Sequence, residues 1–296
     1  MMRILVTGSD GQIGHELLKT LAPLGEVVGI TRADGDLASP EVVDSLLERF
    51  RPGVVVNPAA YTAVDQAEGE ETVARGLNAG LPEKLARWAE ANGALLVHYS
   101  TDYVYAGNGE APMPESEPTA PLSVYGKTKL AGDEAILAHS PSAVILRTSW
   151  VYGARGRNFM LTMLKLAAER NELKVVADQW GAPTPAWLIA QVTALVIRAR
   201  LLGNDAIRGV YHLTCRKATS WCGLAREIIR LAGERGAPLK MGEQRVFPIP
   251  TSEYPAPAPR PKNSRLDVSR IEQALAIQLP DWKAALGVTL GDWHKD

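Results

Sequence analysis

The stretch Val6-Thr7-Gly8-Ser9-Asp10-Gly11-Gln12-Ile13-Gly14 follows a short apolar run, Ile4-Leu5-Val6, and opens a helical pattern with Ile13, Leu17, Leu18 and Leu21 on one stripe. Glycines spaced G-x-x-G-x-x-G between a strand and an amphipathic helix meet three needs: a sharp turn, a close backbone approach to a pyrophosphate, and tight packing of helix on strand. The helix N-terminus then presents free N–H groups and the positive end of its dipole to an anion. An ordinary βα turn also uses glycines, but in this setting the pattern predicts a dinucleotide site.

Working outward, further apolar runs at Glu26 to Ile30, Val54 to Asn57, Ala94 to Tyr99 and Ala143 to Arg147 alternate with helical patterns. Continuous apolar strands between helices mark a parallel sheet covered on both faces. The first helix is expected from Gln12 to Leu24. A second opens with Ser39 as N-cap and Pro40 at the first helical position. The fold class is therefore α/β: a Rossmann-type doubly wound parallel sheet over residues 1–153, with segments near 174–214 returning to it. A smaller mixed α/β region, mainly residues 154–296, is expected to bind substrate. The six prolines between Pro248 and Pro261 exclude helix there, while Ile249, Tyr254 and Arg260 suit an ordered loop lining a site.

The 296 residues allow roughly two domains at about 150 residues each. With 46% hydrophobic and 22% charged residues the chain is globular in composition. Its net charge of -1, without a basic run, argues against nucleic acid as a partner. Cys215 and Cys222 read as small buried hydrophobes, and His15, His98, His139, His212 and His294 are too scattered for a zinc set. No run of about 18 apolar residues and no signal peptide is visible, so no membrane partner is expected and the cytoplasm is the expected compartment.

The second strand ends Gly29-Ile30-Thr31-Arg32. An NAD site would offer a carboxylate to the ribose 2′-hydroxyl there, whereas Arg32 suits a 2′-phosphate and so NADPH. Asp34 and Asp36 nearby keep NADH possible. Tyr125 and Lys129 stand four apart, on one helix face. Proton transfer by a tyrosine near pH 7 asks for a pKa lowered by roughly 3 units, about 4 kcal/mol, which a nearby ammonium helps to supply. Ser100-Thr101-Asp102 follows the fourth strand, where either hydroxyl could donate to a substrate carbonyl.

These stretches, with Asn57-Pro58-Ala59-Ala60-Tyr61-Thr62-Ala63-Val64-Asp65, His98-Tyr99-Ser100-Thr101-Asp102-Tyr103-Val104-Tyr105, Asp178-Gln179-Trp180-Gly181-Ala182-Pro183-Thr184 and Arg260-Pro261-Lys262-Asn263-Ser264-Arg265-Leu266-Asp267, resemble the extended short-chain dehydrogenase/reductase family. The later ones are similar to its branch of dTDP-4-dehydrorhamnose reductases, over nearly the whole chain. The resemblance implies NADPH-dependent reduction of the C4 ketone of a dTDP-4-keto sugar. Tyr125 would be the proton donor, Thr101 would polarise the carbonyl, and Lys129 would bind the nicotinamide ribose and tune Tyr125. It further implies cofactor contacts from Gly8, Asp10, Gly11, Gln12, Ile13, Gly14, Arg32, Asp36, Leu37, Ala59, Ala60, Tyr61 and Tyr99. Thr62, Val64, Thr101, Tyr103, Trp150 and Asn263 would contact the sugar nucleotide.

Related dehydratases carry Asp-Glu after the threonine, but here Tyr103 follows Asp102, which disfavours dehydration. An epimerase, another sugar-nucleotide reductase, or a non-catalytic NADP-binding subunit like the regulatory partner of methionine adenosyltransferase are the alternatives. Some relatives hold magnesium at a dimer interface through glutamates. Glu16 matches one of these, but Trp187 stands at another, and an aromatic ring cannot ligate a hard cation. No metal site is expected, and a homodimer is left open.

Overall fold

In the computed structural model, residues 2–293 are described; Met1 and 294–296, with His294 among them, lie outside the described residues. Strands β1 (Arg3–Val6), β2 (Glu26–Gly29), β3 (Val54–Asn57), β4 (Leu95–Thr101) and β5 (Val144–Thr148), with a sixth strand Gly209–His212, form one parallel sheet. Their spatial order is β2, β1, β3, β4, β5 and the sixth strand. The chain winds outward from β1 to β2, then crosses back to β3 on the far side of β1. The winding therefore reverses between β1 and β3, and open α/β sheets bind ligands at the carboxyl ends beside such a reversal.

Alternation along the strands divides the core in two. Ile4, Val6, Val54, Val56, Leu95, Val97, Tyr99, Val144 and Leu146 belong to one buried cluster, shared with helices α1 (Gln12–Thr20) and Ala186–Leu201. Leu5, Val55, Leu96 and Ile145 belong to the other, shared with α2 (Pro40–Phe50), Leu81–Asn92 and Val124–His139. A slip of one residue would exchange these faces, so the pairing is strongly specified. Burying each Val, Leu or Ile contributes about 1.5–3 kcal/mol.

Local signals explain the helix ends. Ser39 caps α2 by accepting from the Val42 N–H, and Pro40 occupies its first turn. The first helix stops at Thr20, short of the expected Leu24; a 3-10 turn, Ala22–Leu24, follows with Pro23 inside it. β4 runs two residues past the expected Tyr99, which carries Ser100 and Thr101 out on the strand end.

The remaining chain forms small sheets: Leu173–Val176 with Val246–Ile249, Val151–Tyr152 with Thr184–Pro185, and Trp180–Gly181 between Thr219–Ser220 and Asn263–Ser264. Of the segments expected to return to the main sheet, Gly209–His212 joins it, whereas Leu173–Val176 pairs within the second region. Cys215 and Cys222 are both buried and unpaired. Among the described residues no helix is long and apolar enough to cross a membrane.

Candidate active site

The glycine loop leaves β1 at the reversal of winding. Gly8 has φ +54°, and a Cβ there would come within 3.1 Å of the Ala59 Cα, so the loops after β1 and β3 touch backbone to backbone. Gly14 lets α1 press onto this loop, since its Cβ would lie 2.2 Å from the Gly8 carbonyl oxygen. Gly11 caps α1 without any side-chain acceptor, and the first turn holds no acidic residue. The leading N–H groups of a nine-residue helix thus face outward beside exposed Asp10 and Gly11, a donor set that fits a pyrophosphate. Gln12 is tied to the second region, its Oε1 accepting from Asn158 at 2.9 Å.

After β2, Thr31 and Asp34 close a capping box, with the Asp34 carboxylate accepting from both the Thr31 N–H and hydroxyl at 2.9 and 3.0 Å. Asp36 accepts from the Ala38 N–H. The carboxylates that compete with Arg32 for a ribose are therefore engaged in shaping the turn, while Arg32 is exposed. Leu37, Ala59, Ala60 and Tyr61 are half-buried. Asn78 clamps the Tyr61 backbone, accepting from its N–H and donating to its carbonyl.

The helix Val124–His139 starts where Ser123 accepts from the Gly126 N–H at 3.2 Å. Gly126 sits directly against the turn after β4, since a Cβ would lie 2.3 Å from the Tyr103 carbonyl oxygen. That approach brings the helix start bearing Tyr125 onto the turn after Thr101 and sets the Tyr103 ring edge-on to Tyr125 at 5.5 Å. The two hydroxyls have different partners: Ser100 faces the helix and donates to Asp133 at 2.8 Å, whereas Thr101 donates to Asp102 Oδ1 at 3.1 Å and accepts from the Tyr103 N–H at 3.2 Å.

Lys129 is buried against the sheet. Its Nζ turns to the sheet, donating to the Tyr99 carbonyl at 2.6 Å and lying 3.0 Å from His98 Nε2. Burial pushes its pKa down to about 8 against the pull of Asp133. The Tyr125 phenol is raised above its ordinary value. Burial is the main cause, with Asp102 and Asp133 pushing the same way and Thr101 opposing. The Asp102 carboxyl, 2% exposed, is pushed up to about 6 by burial, against hydrogen bonds from Ser264 and Thr101.

The Tyr99 ring lies in the core with its hydroxyl 2.7 Å from Thr193, and its backbone carbonyl accepts from Lys129. Asn263 is buried and donates to the Ala111 carbonyl at 2.8 Å while accepting from the Arg265 N–H. Thr62 is exposed, and Val64 and Tyr103 are half-buried. Trp150 adopts φ +50° and stacks on Trp221 at 3.6 Å, over Gly181, where a Cβ would lie 2.6 Å from the indole. Glu16 pairs with Lys19, and Trp187 donates to the Thr289 hydroxyl.

Trp221 and the Asp133–Arg147 ion pair at 3.0 Å were not among the expected site residues; Arg260, expected in an ordered loop lining a site, reaches Asp65 at 2.8 Å and ties the proline-rich loop to the chain after β3. Asp133 stands four residues after Lys129, the one local signal that could have marked it.

A glycine loop at a reversal of winding, with a threonine, a tyrosine and a lysine gathered after β4, defines an extended short-chain dehydrogenase/reductase. The chain belongs to the RmlD substrate binding domain family, whose model matches residues 2–294. It is 45% identical over 289 residues to the dTDP-4-dehydrorhamnose reductase of Shigella flexneri, covering 96% of each chain. Among solved structures, a dTDP-4-dehydrorhamnose reductase of Clostridium acetobutylicum superposes with TM-score 0.89 at 38% identity, covering 98% of this chain and 99% of that one. The dTDP-4-dehydrorhamnose reductase of Bacillus anthracis, in complex with NADP, gives TM-score 0.88 at 32% identity, covering 99% and 100%.

Proposed function

We propose that this protein reduces the C4 ketone of dTDP-4-dehydro-L-rhamnose to the alcohol of dTDP-L-rhamnose, using NADPH. The observation that carries the reading is the packing of the helix start bearing Tyr125 and buried Lys129 onto the end of β4 and the turn after Thr101, at the carboxyl ends of the strands next to the glycine loop. The dinucleotide supplies the hydride when bound. Tyr125 is protonated, because burial raises its phenol, and would give that proton to the oxygen of the ketone being reduced; passing it on readily asks for a nearby positive charge that stabilises the phenolate. Thr101 orients that oxygen, and Lys129 provides a buried amine for the ribose.

The first-turn N–H groups of α1 suit the pyrophosphate, and Arg32 suits a 2′-phosphate, which favours NADPH over NADH. In this reading residues 1–153, with Gly209–His212, hold the dinucleotide, and the rest of the chain closes on the sugar nucleotide. Thr62, Val64, Tyr103 and Trp150 would border the sugar nucleotide. Thr101, Tyr125 and Lys129 come from one chain, so a homodimer is not required. The two unpaired thiols suit a reducing compartment, the cytoplasm.

The test supplies dTDP-4-dehydro-L-rhamnose and NADPH and follows the absorbance of the reduced nicotinamide. The expected result is stoichiometric oxidation by the wild type and loss of turnover in Tyr125→Phe. Absence of turnover on any 4-keto sugar nucleotide would overturn the reading in favour of a non-catalytic dinucleotide-binding subunit.

A further inference from the structure

Four buried polar side chains run in a row beneath the site. Thr7, Asn57, His98 and Lys129 are 2%, 1%, 0% and 2% exposed, and they come from the ends of β1 and β3, from β4, and from the helix Val124–His139. The Thr7 hydroxyl lies 2.6 Å from Asn57 Oδ1 and accepts from the Ala59 N–H at 3.2 Å. Asn57 Nδ2 lies 3.1 Å from His98 Nδ1, and His98 Nε2 lies 3.0 Å from Lys129 Nζ.

A neutral imidazole has one N–H and one lone pair, so this row has a direction. When Thr7 donates to Asn57 Oδ1, Asn57 donates to His98 Nδ1. The imidazole proton must then sit on Nε2, pointing at Lys129 Nζ. That nitrogen accepts only as a neutral amine, still donating to the Tyr99 carbonyl. In the opposite direction an ammonium donates to Nε2, His98 donates from Nδ1, and the Asn57 amide is turned over. Thr7 would then accept from both Ala59 and Asn57, and its own proton would have no partner in the row. A buried donor without a partner is costly, so the first direction is favoured.

We propose that Thr7, Asn57 and His98 are positioning residues that set the charge on Lys129 through the direction of this hydrogen-bond row. The inference rests on the reading of Lys129 as a member of the reaction site, and it deepens that reading by connecting the lysine to the glycine loop, since Thr7 precedes Gly8 and holds the Ala59 backbone. The other charged groups around Lys129 are Asp133 on its own helix and Arg147 on β5, which is engaged with Asp133 at 3.0 Å. Burial brings the Lys129 amine down to about 8 and, with Lys129, holds His98 well below its usual range, so near pH 7 the ammonium donates to Nε2, and above pH 8 the neutral amine lets the row take its favoured direction.

The test is nuclear magnetic resonance on the folded, full-length protein. In wild type at pH 9.5, above the Lys129 titration, His98 should show an unprotonated Nδ1 and a protonated Nε2 by their 15N shifts. Lysine labelled at 13Cε, with Lys129 assigned by its loss in Lys129→Arg, gives the titration of Nζ. Asn57→Asp, whose carboxylate can only accept, should move the imidazole proton to Nδ1 and raise the Lys129 pKa by about one unit, a tenfold change in proton affinity. Thr7→Val adds no charge, so a smaller rise there separates direction from plain Coulomb attraction, and Thr7→Ser should titrate as wild type. A protonated Nδ1 in wild type at pH 9.5, or an unmoved Lys129 titration in folded Asn57→Asp and Thr7→Val, would overturn the proposal. Should Asn57→Asp fail to fold, the wild-type tautomer and Thr7→Val decide. None of these readouts uses substrate, so an inactive protein showing the expected shifts would overturn the proposed function and leave this inference standing.

Discussion

Replacing Gly126 by alanine should separate catalysis from stability. The added Cβ would stand 2.3 Å from the Tyr103 carbonyl oxygen and 3.0 Å from the Pro121 Cβ. Reaching an ordinary contact asks the helix start to move by about 1 Å, since backbone carbonyls are packed at solid-like density and do not yield. Tyr125 is the adjacent residue, so the same movement carries its phenol away from the end of β4. A misplacement of about 1 Å costs on the order of 100-fold in rate, or about 2.7 kcal/mol of barrier. Stability suffers less, because overpacking costs about 1–3 kcal/mol while alanine regains about 1 kcal/mol over glycine in a helix. The expected outcome is kcat/KM for the 4-keto sugar nucleotide reduced about 100-fold, with unfolding free energy in urea lower by at most about 2 kcal/mol. Activity within about threefold of wild type would refute the reasoning, because it would mean that this contact does not set the Tyr125 position.

Three more outcomes follow from the same geometry. Arg32→Ala should raise the KM for NADPH by about 10-fold or more, matching the loss of a charge-assisted phosphate contact, and leave NADH unchanged; an unaltered preference in steady-state kinetics would remove Arg32 from the cofactor site. Asp102 carries a folded pKa of about 6 against an ordinary 3.8. Its raised pKa favours the folded state fully below the ordinary value, and this contribution is lost as pH rises toward 6. Asp102→Asn should therefore gain on wild type by about 3 kcal/mol between pH 4 and 7, and urea titrations at the two pH values giving equal differences would contradict the assignment. Arg147→Ala should cost about 3–5 kcal/mol by leaving Asp133 buried without its cation, while the apolar pair Asp133→Leu with Arg147→Met should recover most of it; equal unfolding midpoints for wild type and Arg147→Ala would show the pair to be inert.

Asp133 already has one carboxylate oxygen, Oδ1, without a partner. The network that continues from it through Arg147 to the Tyr105 hydroxyl and His212 fixes β4 and β5 to the sixth strand just below the site. Buried charge is retained there although an apolar core would be easier to build, and its place is under the residues whose separation matters most to the reaction.

What the sequence by itself determined is what local chemistry dictates. Glycines at 8, 11 and 14 after an apolar strand specify a turn and an open helix end. Tyr125 and Lys129 share a helix face at any fold, and Ser39-Pro40 starts a helix wherever it stands. Only the tertiary structure decided which partners those groups meet. The order β2, β1, β3, β4 brings Thr7, Asn57 and His98 side by side from strands separated by whole helices, and that order is written in no local pattern. It set the Lys129 amine against His98, gave Ser100 to Asp133 and Thr101 to Asp102, and closed Asn263 inside a loop contact. The physical reason is that side-chain pairing across a sheet depends on strand neighbours and register, whereas a sequence window reports only the conformation of its own backbone.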